Sequence, residues 1–120
     1  MMPDDIPDPR PAVAGDPPAV LGQKCADCGH ATARRVARCP RCASQHLNED
    51  SWTEGTVWST TLVHIPVGDR VPPYRLTYVD LADGPRVLAH QRHSGGPAPA
   101  LGLSVHVVGI NANGDLEVSA

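Results

Sequence analysis

Two C-x-x-C pairs decide the fold of the first part of this chain: Cys25-Ala26-Asp27-Cys28 and Cys39-Pro40-Arg41-Cys42. They hold all four cysteines of the protein, and ten residues separate them. In each pair one tight turn brings two thiolates to the same ion, and two facing turns complete the tetrahedron that Zn²⁺ prefers. Gly29 follows the first pair, where the turn needs a residue that tolerates a positive φ. The spacing therefore predicts a zinc ribbon with Cys25, Cys28, Cys39 and Cys42 as ligands.

Disulfides and redox chemistry are the alternatives for four cysteines. The first residues have neither the basic start nor the apolar run of a signal peptide, so we expect a reducing, cytoplasmic location. A redox C-x-x-C needs only one pair and a thioredoxin-like βαβ context, which the sequence lacks. A complete Cys₄ set leaves no open coordination position, so the predicted zinc is structural. His30 and His46 lie close by and could replace a ligand, but we expect both at the surface.

The composition limits the size of the core. A chain of 120 residues fits one small domain or two very small ones, and its four aromatic residues include no phenylalanine. The net charge of −3 provides no general basic field for nucleic acid. No apolar stretch has the length of a membrane span. Lys24 is the only lysine among ten Lys and Arg residues, a bias that suggests a GC-rich bacterial source.

Three segments are predicted along the chain. Residues 1–18 are rich in proline and aspartate and predict a flexible arm. Residues 19–50 form the ribbon, and residues 51–120 form a β-barrel. The ribbon is locally basic, and this charge either balances the zinc thiolates or meets a phosphate or an acidic partner. Its cationic side chains are Lys24, Arg34, Arg35, Arg38 and Arg41.

The third segment reads as five short strands without a convincing helix. Residues 74–81 alternate, with Tyr74, Leu76 and Tyr78 on one face and Arg75 and Thr77 on the other. Residues 101–107 alternate as a strand with one buried face, and Asn113-Gly114 signals a hairpin turn before the last strand. A five-stranded OB-type barrel is the most economical closure because it removes exposed edges. An SH3-like barrel is the second choice.

The order of these motifs resembles a known family, the zinc-ribbon/OB-fold proteins associated with acyl-CoA metabolism, long classed as a domain of unknown function. The resemblance covers roughly residues 19–110. It is carried by three elements that follow the Cys₄ ribbon: the strand Gly55 to His64, the loop Pro72-Pro73-Tyr74, and the turn Gly84-Pro85-Arg86.

The resemblance implies a mostly β protein: a rubredoxin-like zinc ribbon followed by an OB barrel, acting as a non-catalytic accessory subunit. Family members are partners of thiolase-like enzymes, aldolases or hot-dog-fold hydratases in lipid and steroid metabolism. The barrel is expected to support the partner and to help hold the CoA moiety of an acyl-CoA, while the ribbon docks on the partner. An exposed apolar patch is expected around Val71 to Tyr74.

The residues themselves offer little catalytic chemistry. No cysteine remains free once zinc is bound, and no serine lies in a G-x-S-x-G context. One polar cluster is dense enough to predict contact with CoA or with a partner, since arginine grips phosphate bidentately. With the tyrosine of the proline-rich loop, its members are Tyr74, Arg86, His90, Arg92 and His93. A solvated surface is the competing interpretation for each of them.

Two other functions are considered. Zinc ribbons and OB barrels both serve as nucleic-acid-binding modules, but residues 51–120 hold four arginines against six acidic residues. Single-strand binders usually combine a basic groove with several aromatic side chains, so nucleic acid is not the expected partner. A metal-dependent enzyme would need an open coordination position, which four cysteines do not leave.

Overall fold

The computed structural model describes residues 9–92 and 96–120, which form nine β-strands and no α-helix. Among these residues no helix has the length and apolar character that crossing a lipid bilayer requires. The strands are β1 (Val13–Ala14), β2 (Ala19–Cys25), β3 (Ala31–Thr32), β4 (Leu47–Trp52), β5 (Glu54–Val63), β6 (Tyr74–Leu81), β7 (Arg86–Gln91), β8 (Ser104–Ile110) and β9 (Leu116–Ser119).

The first four strands form a small antiparallel sheet around β2. All six residues of β4 pair with one edge of β2. On the other edge of β2, β1 pairs with its first residues and β3 pairs with its last residues. Residues 1–8 of the predicted arm lie outside the described residues. The remainder of that segment contains β1, and its backbone bonds to Leu21 through the carbonyl of Ala12 at 2.9 Å.

The last five strands close into a barrel in the order β5-β6-β7-β9-β8. All pairs are antiparallel except β7 with β9, which are parallel and have β8 between them in the sequence. The predicted five-stranded OB barrel is therefore confirmed. The predicted hairpin turn at Asn113-Gly114 joins β8 to β9, and Gly114 has the positive φ of 82° that such a turn requires.

Strand β6 turns its aromatic face away from the barrel interior. The predicted division of faces holds, but the side of Arg75 and Thr77 is the buried one, together with Val79 and Leu81. Thr77 is inside the barrel, where its hydroxyl donates to Gln91 Oε1 and also forms a hydrogen bond with the Thr60 hydroxyl. The consequence is that the opposite side of β6, with both tyrosines, lies on the outer surface.

The fourth predicted barrel strand begins later than its apolar alternation suggests. Strand β8 starts at Ser104, and Leu101 and Leu103 are 71% and 38% exposed. The N–H of Gly102 donates to the carbonyl of Val57 at 2.8 Å, and the N–H of Val57 donates to the carbonyl of Leu103 at 2.9 Å. These two bonds attach the stretch to the first half of β5. The buried face predicted for residues 101–107 is therefore limited to Val105 and Val107.

Trp52 joins the small sheet to the barrel. It is the last residue of β4, pairs with Val20 of β2, and belongs with Val20 to the same hydrophobic core as the barrel residues. Its indole lies so close to Gly84 that a Cβ there would be 2.6 Å from Nε1. The ribbon and the barrel thus share one core at this point.

Candidate metal centre and basic groove

The four cysteine side chains come together at one end of the small sheet. Their Sγ atoms all lie within 4.8 Å of one another. The two crossed pairs, Cys25 with Cys42 and Cys28 with Cys39, are each 3.6 Å apart. In a regular tetrahedron with bonds of about 2.3 Å, sulfurs lie about 3.8 Å apart. The donor set therefore fits a tetrahedral thiolate-bound metal ion.

Two equivalent turns, which we call the first and the second knuckle, build this site. The N–H of Gly29 donates to the carbonyl of Cys25 at 2.9 Å, and the N–H of Ala43 donates to that of Cys39 at 2.8 Å. Gly29 has a φ of 79°, as the sequence predicted for this turn. Ala43 has a φ of 63°, which is uncommon for a residue with a Cβ. The backbone thus holds the sulfurs of each pair on the same side of its turn.

The second knuckle is attached to the first by polar side chains. The Asp27 carboxylate accepts a hydrogen bond from Ser44 and contacts His46 Nδ1 at 2.9 Å. The hydrogen bond from Ser44 and the contact with His46 lower the pKa of Asp27. Neither His46 nor His30 belongs to the metal-ligating cluster found among the described residues.

The thiols of the cluster differ in acidity. The N–H of Cys28 donates to Cys25, and this bond is the main reason that the pKa of Cys25 falls to about 6. The N–H of Ser44 lowers the pKa of Cys42, but burial and the other three sulfurs outweigh it and raise this pKa to about 12. Four crowded sulfurs resist complete ionisation until a cation compensates their charge.

A groove of about 1320 Å³ separates the ribbon from the outer face of the barrel. We call it the basic groove, because six Lys or Arg side chains line it against two Asp side chains. These residues are Lys24, Arg34 and Arg41 on the ribbon, Arg10 before β1, Arg70 and Arg86 on the barrel, and Asp83 and Asp115. The groove is therefore cationic in a chain whose net charge is −3.

The floor of the basic groove is apolar. Strands β6 and β7 contribute Tyr74, Leu76 and Leu88 from their outward faces, and Val36 and Pro85 line it from the loops. An apolar floor with charged edges suits a ligand or a peptide that carries both apolar and anionic groups.

Three basic side chains contact the Asp115 carboxylate at one end of the basic groove. Arg70 donates to both carboxylate oxygens, Nε to Oδ2 and Nη2 to Oδ1, at 2.7 Å each. Arg10 and His90 approach the same carboxylate at 3.3 Å and 3.2 Å. The Arg70 hydrogen bonds are the main cause that lowers the pKa of Asp115; burial opposes them, and the charge of His90 and the hydrogen bond from Arg10 lower it further. This cluster joins four segments that are far apart in sequence.

His90 lies between this carboxylate and Tyr74. Its ring stacks on the tyrosine with centroids 5.3 Å apart and an angle of 21° between the planes. Burial lowers the pKa of His90, Asp115 raises it, and Arg70 lowers it further, with a net result below the ordinary value. The imidazole is therefore biased towards its neutral form.

The residues predicted for CoA or partner contact have different locations. Tyr74, Arg86 and His90 line the basic groove, whereas Arg92 is exposed and lies outside the groove lining. His93 lies outside the described residues. Asp115 and Arg70 were not predicted as site residues, because only the fold brings position 115 to position 70, and no local motif marks either of them.

Arg86 is held by neighbours on its own surface. Its guanidinium donates to the Asp80 carboxylate at 2.6 and 3.1 Å and lies 3.7 Å from the centroid of Trp58. Trp58 sits at a bulge in β5 and meets Tyr78 edge to face, with centroids 6.0 Å apart. Trp58, Tyr78 and Leu88 are 49%, 44% and 43% exposed. We call this group the aromatic patch; its five residues are Trp58, Tyr78, Asp80, Arg86 and Leu88.

Comparisons with known proteins agree with the barrel. Residues 49–109 match the sequence profile of the family described as ChsH2, C-terminal OB-fold domain. A solved structure described as the Ltp2-ChsH2(DUF35) aldolase is similar over 82% of this chain and 82% of that chain, with a TM-score of 0.61 and 22% identity. No curated protein matches the sequence.

Proposed function

This chain belongs to the family of ChsH2 C-terminal OB-fold domains, and from that premise we propose that it is a non-catalytic accessory subunit of an acyl-CoA-processing enzyme. An aldolase is the preferred partner, because the similar solved structure is described as an aldolase that contains ChsH2. Thiolase-like enzymes and hot-dog-fold hydratases remain members of the same partner class.

The aromatic patch is the single observation that carries this proposal. Contiguous exposed apolar surface on a protein often marks a site where another molecule binds, and here Trp58, Tyr78 and Leu88 are all exposed on neighbouring strands. Trp, Tyr and Arg are also the residues that most often dominate binding energy at protein interfaces. The Arg86 guanidinium, fixed between Asp80 and Trp58, is already ordered for such an interface.

The basic groove supports a role in holding the CoA part of the substrate. Lys24, Arg34 and Arg41 offer cations for phosphate groups, and the apolar floor offers a surface for the pantetheine chain or acyl group. Because Arg86 and Arg70 are already paired with carboxylates, we assign the phosphate contacts to the ribbon side of the groove.

The ribbon would be stabilised by Zn²⁺ bound to Cys25, Cys28, Cys39 and Cys42. With four thiolate ligands the ion would have no open position, so its contribution would be to folding and not to chemistry. A stable ribbon would keep the cationic wall of the basic groove in place.

A tagged pull-down from the native host, followed by mass spectrometry, tests the proposal. We expect a stoichiometric aldolase-like or thiolase-like protein, and we expect Trp58→Ala together with Tyr78→Ala to reduce its recovery at least tenfold. Leu101→Ala is the control, since it removes an apolar side chain that is even more exposed and lies outside the aromatic patch.

Other outcomes would redirect the assignment. Co-purified nucleic acid, or recovery of the enzyme that does not depend on the aromatic patch, would contradict the proposed docking mode. Absence of any salt-stable protein partner would leave the family membership intact and overturn the accessory-subunit proposal.

A further inference from the structure

We propose that the basic groove also binds the acidic segment formed by residues 1–8 of this chain, in competition with any anionic ligand. The proposal uses the groove assigned above to CoA, but it does not depend on CoA binding there. It commits to an occupant because the charge of the segment, its apolar residues and its point of attachment all match the groove.

Charge is the first part of the argument. Residues 1–8 carry Asp4, Asp5 and Asp8 and no Lys or Arg. On the groove, Arg70 and Arg86 are neutralised by Asp115 and Asp80, so the uncompensated positive charge lies on the ribbon wall. In the part of the chain that the structure describes, Lys24, Arg34 and Arg41 of this wall form no ion pair with a carboxylate. Lys24 donates to the backbone carbonyl of Asp83 at 3.3 Å, which leaves its charge without a described carboxylate partner, so all three cations can meet an anion.

Position is the second part. The described chain starts at Pro9, and Pro9 lines the basic groove together with Arg10 and Pro11. Pro9, Arg10 and Arg34 also line a second cavity that adjoins the groove on the ribbon side. The described chain therefore begins at the groove edge, beside Arg34 of the ribbon wall.

Reach and apolar content complete the fit. Eight extended residues span up to about 28 Å, which is comparable with the shortest dimension of the molecule, 27 Å. Met1, Met2 and Ile6 can cover the apolar floor while the carboxylates meet the ribbon wall. Because the segment is tethered, its effective concentration at the groove is in the millimolar range, so even weak intrinsic binding is sufficient.

The anchor of this segment is specific. Arg10 donates to the carbonyl of Asn113 at 2.8 Å and approaches Asp115 at 3.3 Å. Its guanidinium lies against Gly114, where a Cβ would come within 2.8 Å of Nη1. These contacts fix Arg10 at the edge of the groove, two residues after the segment proposed to bind there.

The test compares the full-length chain with its D4N/D5N/D8N variant by backbone amide NMR. We expect chemical-shift differences concentrated at residues 29–36, 40–41 and 83–88, and we expect high salt to move the parent spectrum in the same direction. The matched control is E54Q/D69N, which removes exposed acidic charge outside the groove lining. Shift changes confined to the mutated sites, or equal to those of the control, would overturn the proposal.

Two further readouts separate this inference from the proposed function. If the segment occupies the groove nine-tenths of the time, its neutralisation should tighten CoA binding about tenfold, as measured by calorimetry. Groove shifts without any CoA binding would support the segment and count against CoA. Groove shifts that grow with protein concentration would mean that the segment binds a second copy, which overturns the intramolecular form.

Discussion

The ribbon and the barrel of this chain are held together by different physical means. Between Ala26 and His46, Cys39 is the only buried residue, so almost no apolar surface is available to stabilise the knuckles. The barrel instead encloses nine apolar side chains: Val57, Val79, Leu81, Val87, Ala89, Val105, Val107, Leu116 and Val118. The ribbon therefore depends on its donor set, and the barrel depends on the hydrophobic effect distributed over five strands.

Because they are stabilised differently, the ribbon and the barrel can contribute different surfaces to a binding site. With a metal ion bound to its four cysteines, the ribbon would hold exposed cations in fixed positions without a hydrophobic core of its own. The barrel, whose interior is filled, uses its outward faces for the groove floor and the aromatic patch. Trp52 belongs to both parts and is the point at which they can be uncoupled.

Removal of one metal ligand should have the largest effect, and it should affect the ribbon alone. For Cys42→Ser we expect zinc content to fall from one per chain towards zero, because structural zinc contributes about 10–16 kcal/mol in small zinc domains. Hydrogen exchange should lose protection at the N–H groups of Gly29 and Ala43, which close the two knuckles. Protection at Val79, inside the barrel, should persist.

The control for this experiment is Ala26→Ser, which alters the first knuckle and keeps all four cysteines. It should retain zinc and protection. Equal zinc content and equal thermal melting in Cys42→Ser and the parent would contradict the Cys₄ assignment. Loss of protection throughout the barrel would contradict the idea that the two parts are stabilised separately.

Truncation of Trp52 should produce the next largest effect and should reach both parts. Large-to-small changes at buried tryptophans cost about 3–5 kcal/mol, and Trp52 is 6% exposed. We expect Trp52→Ala to lower the free energy of unfolding by this amount in urea titrations followed by circular dichroism. Protection should fall at Val20 on the ribbon side and at Val87 on the barrel side.

Trp58→Ala is the matched control, since it removes the other tryptophan from the same protein. Trp58 is half exposed and stacks on Arg86, so its loss should cost less than about 1 kcal/mol in stability. Equal destabilisation by the two substitutions would show that Trp52 does not couple the ribbon to the barrel.

Sequence reasoning succeeded where a local pattern determines the structure. Cysteine spacing identified the cluster, since a C-x-x-C turn fixes its own geometry, and β-branched content, turn signals and apolar alternation together identified the five barrel strands. The OB closure followed from their number and the need to pair edges.

Sequence reasoning was incomplete where distant segments decide the outcome. Alternation in β6 divides the faces but does not say which face is inside, and the barrel buries Arg75 and Thr77 while exposing Tyr78. The alternating pattern predicts Leu101 and Leu103 as core residues. In the structure, backbone hydrogen bonds to β5 hold this stretch in front of strand β8, and both leucines are exposed. The Asp115 cluster depends on contacts between positions 10, 70, 90 and 115, which no window of the sequence contains.

The smallest expected effect concerns this cluster and is visible only as a change of stability with pH. Because burial lowers the pKa of His90, the unfolded chain, with a pKa of about 6.5, binds a proton more readily than the folded chain. Stability from this source is therefore complete above about 6.5 and is lost as the pH falls through that value towards the folded pKa. Asp115 has a lowered pKa and loses its contribution only as the pH falls below about 3.9.

His90→Gln should reduce the loss of stability between pH 7.5 and pH 5.5, measured as the shift of the urea midpoint, while leaving the acidic window of Asp115 in place. His106→Gln is the control, since it replaces an exposed histidine on β8 of the same barrel. Loss of metal from the ribbon at low pH would affect the parent and both variants equally. The difference between the urea midpoints of the variants therefore reports only on the barrel histidines. If both substitutions change the midpoints alike, the neutral histidine between Tyr74 and Asp115 does not contribute to the stability of the groove floor.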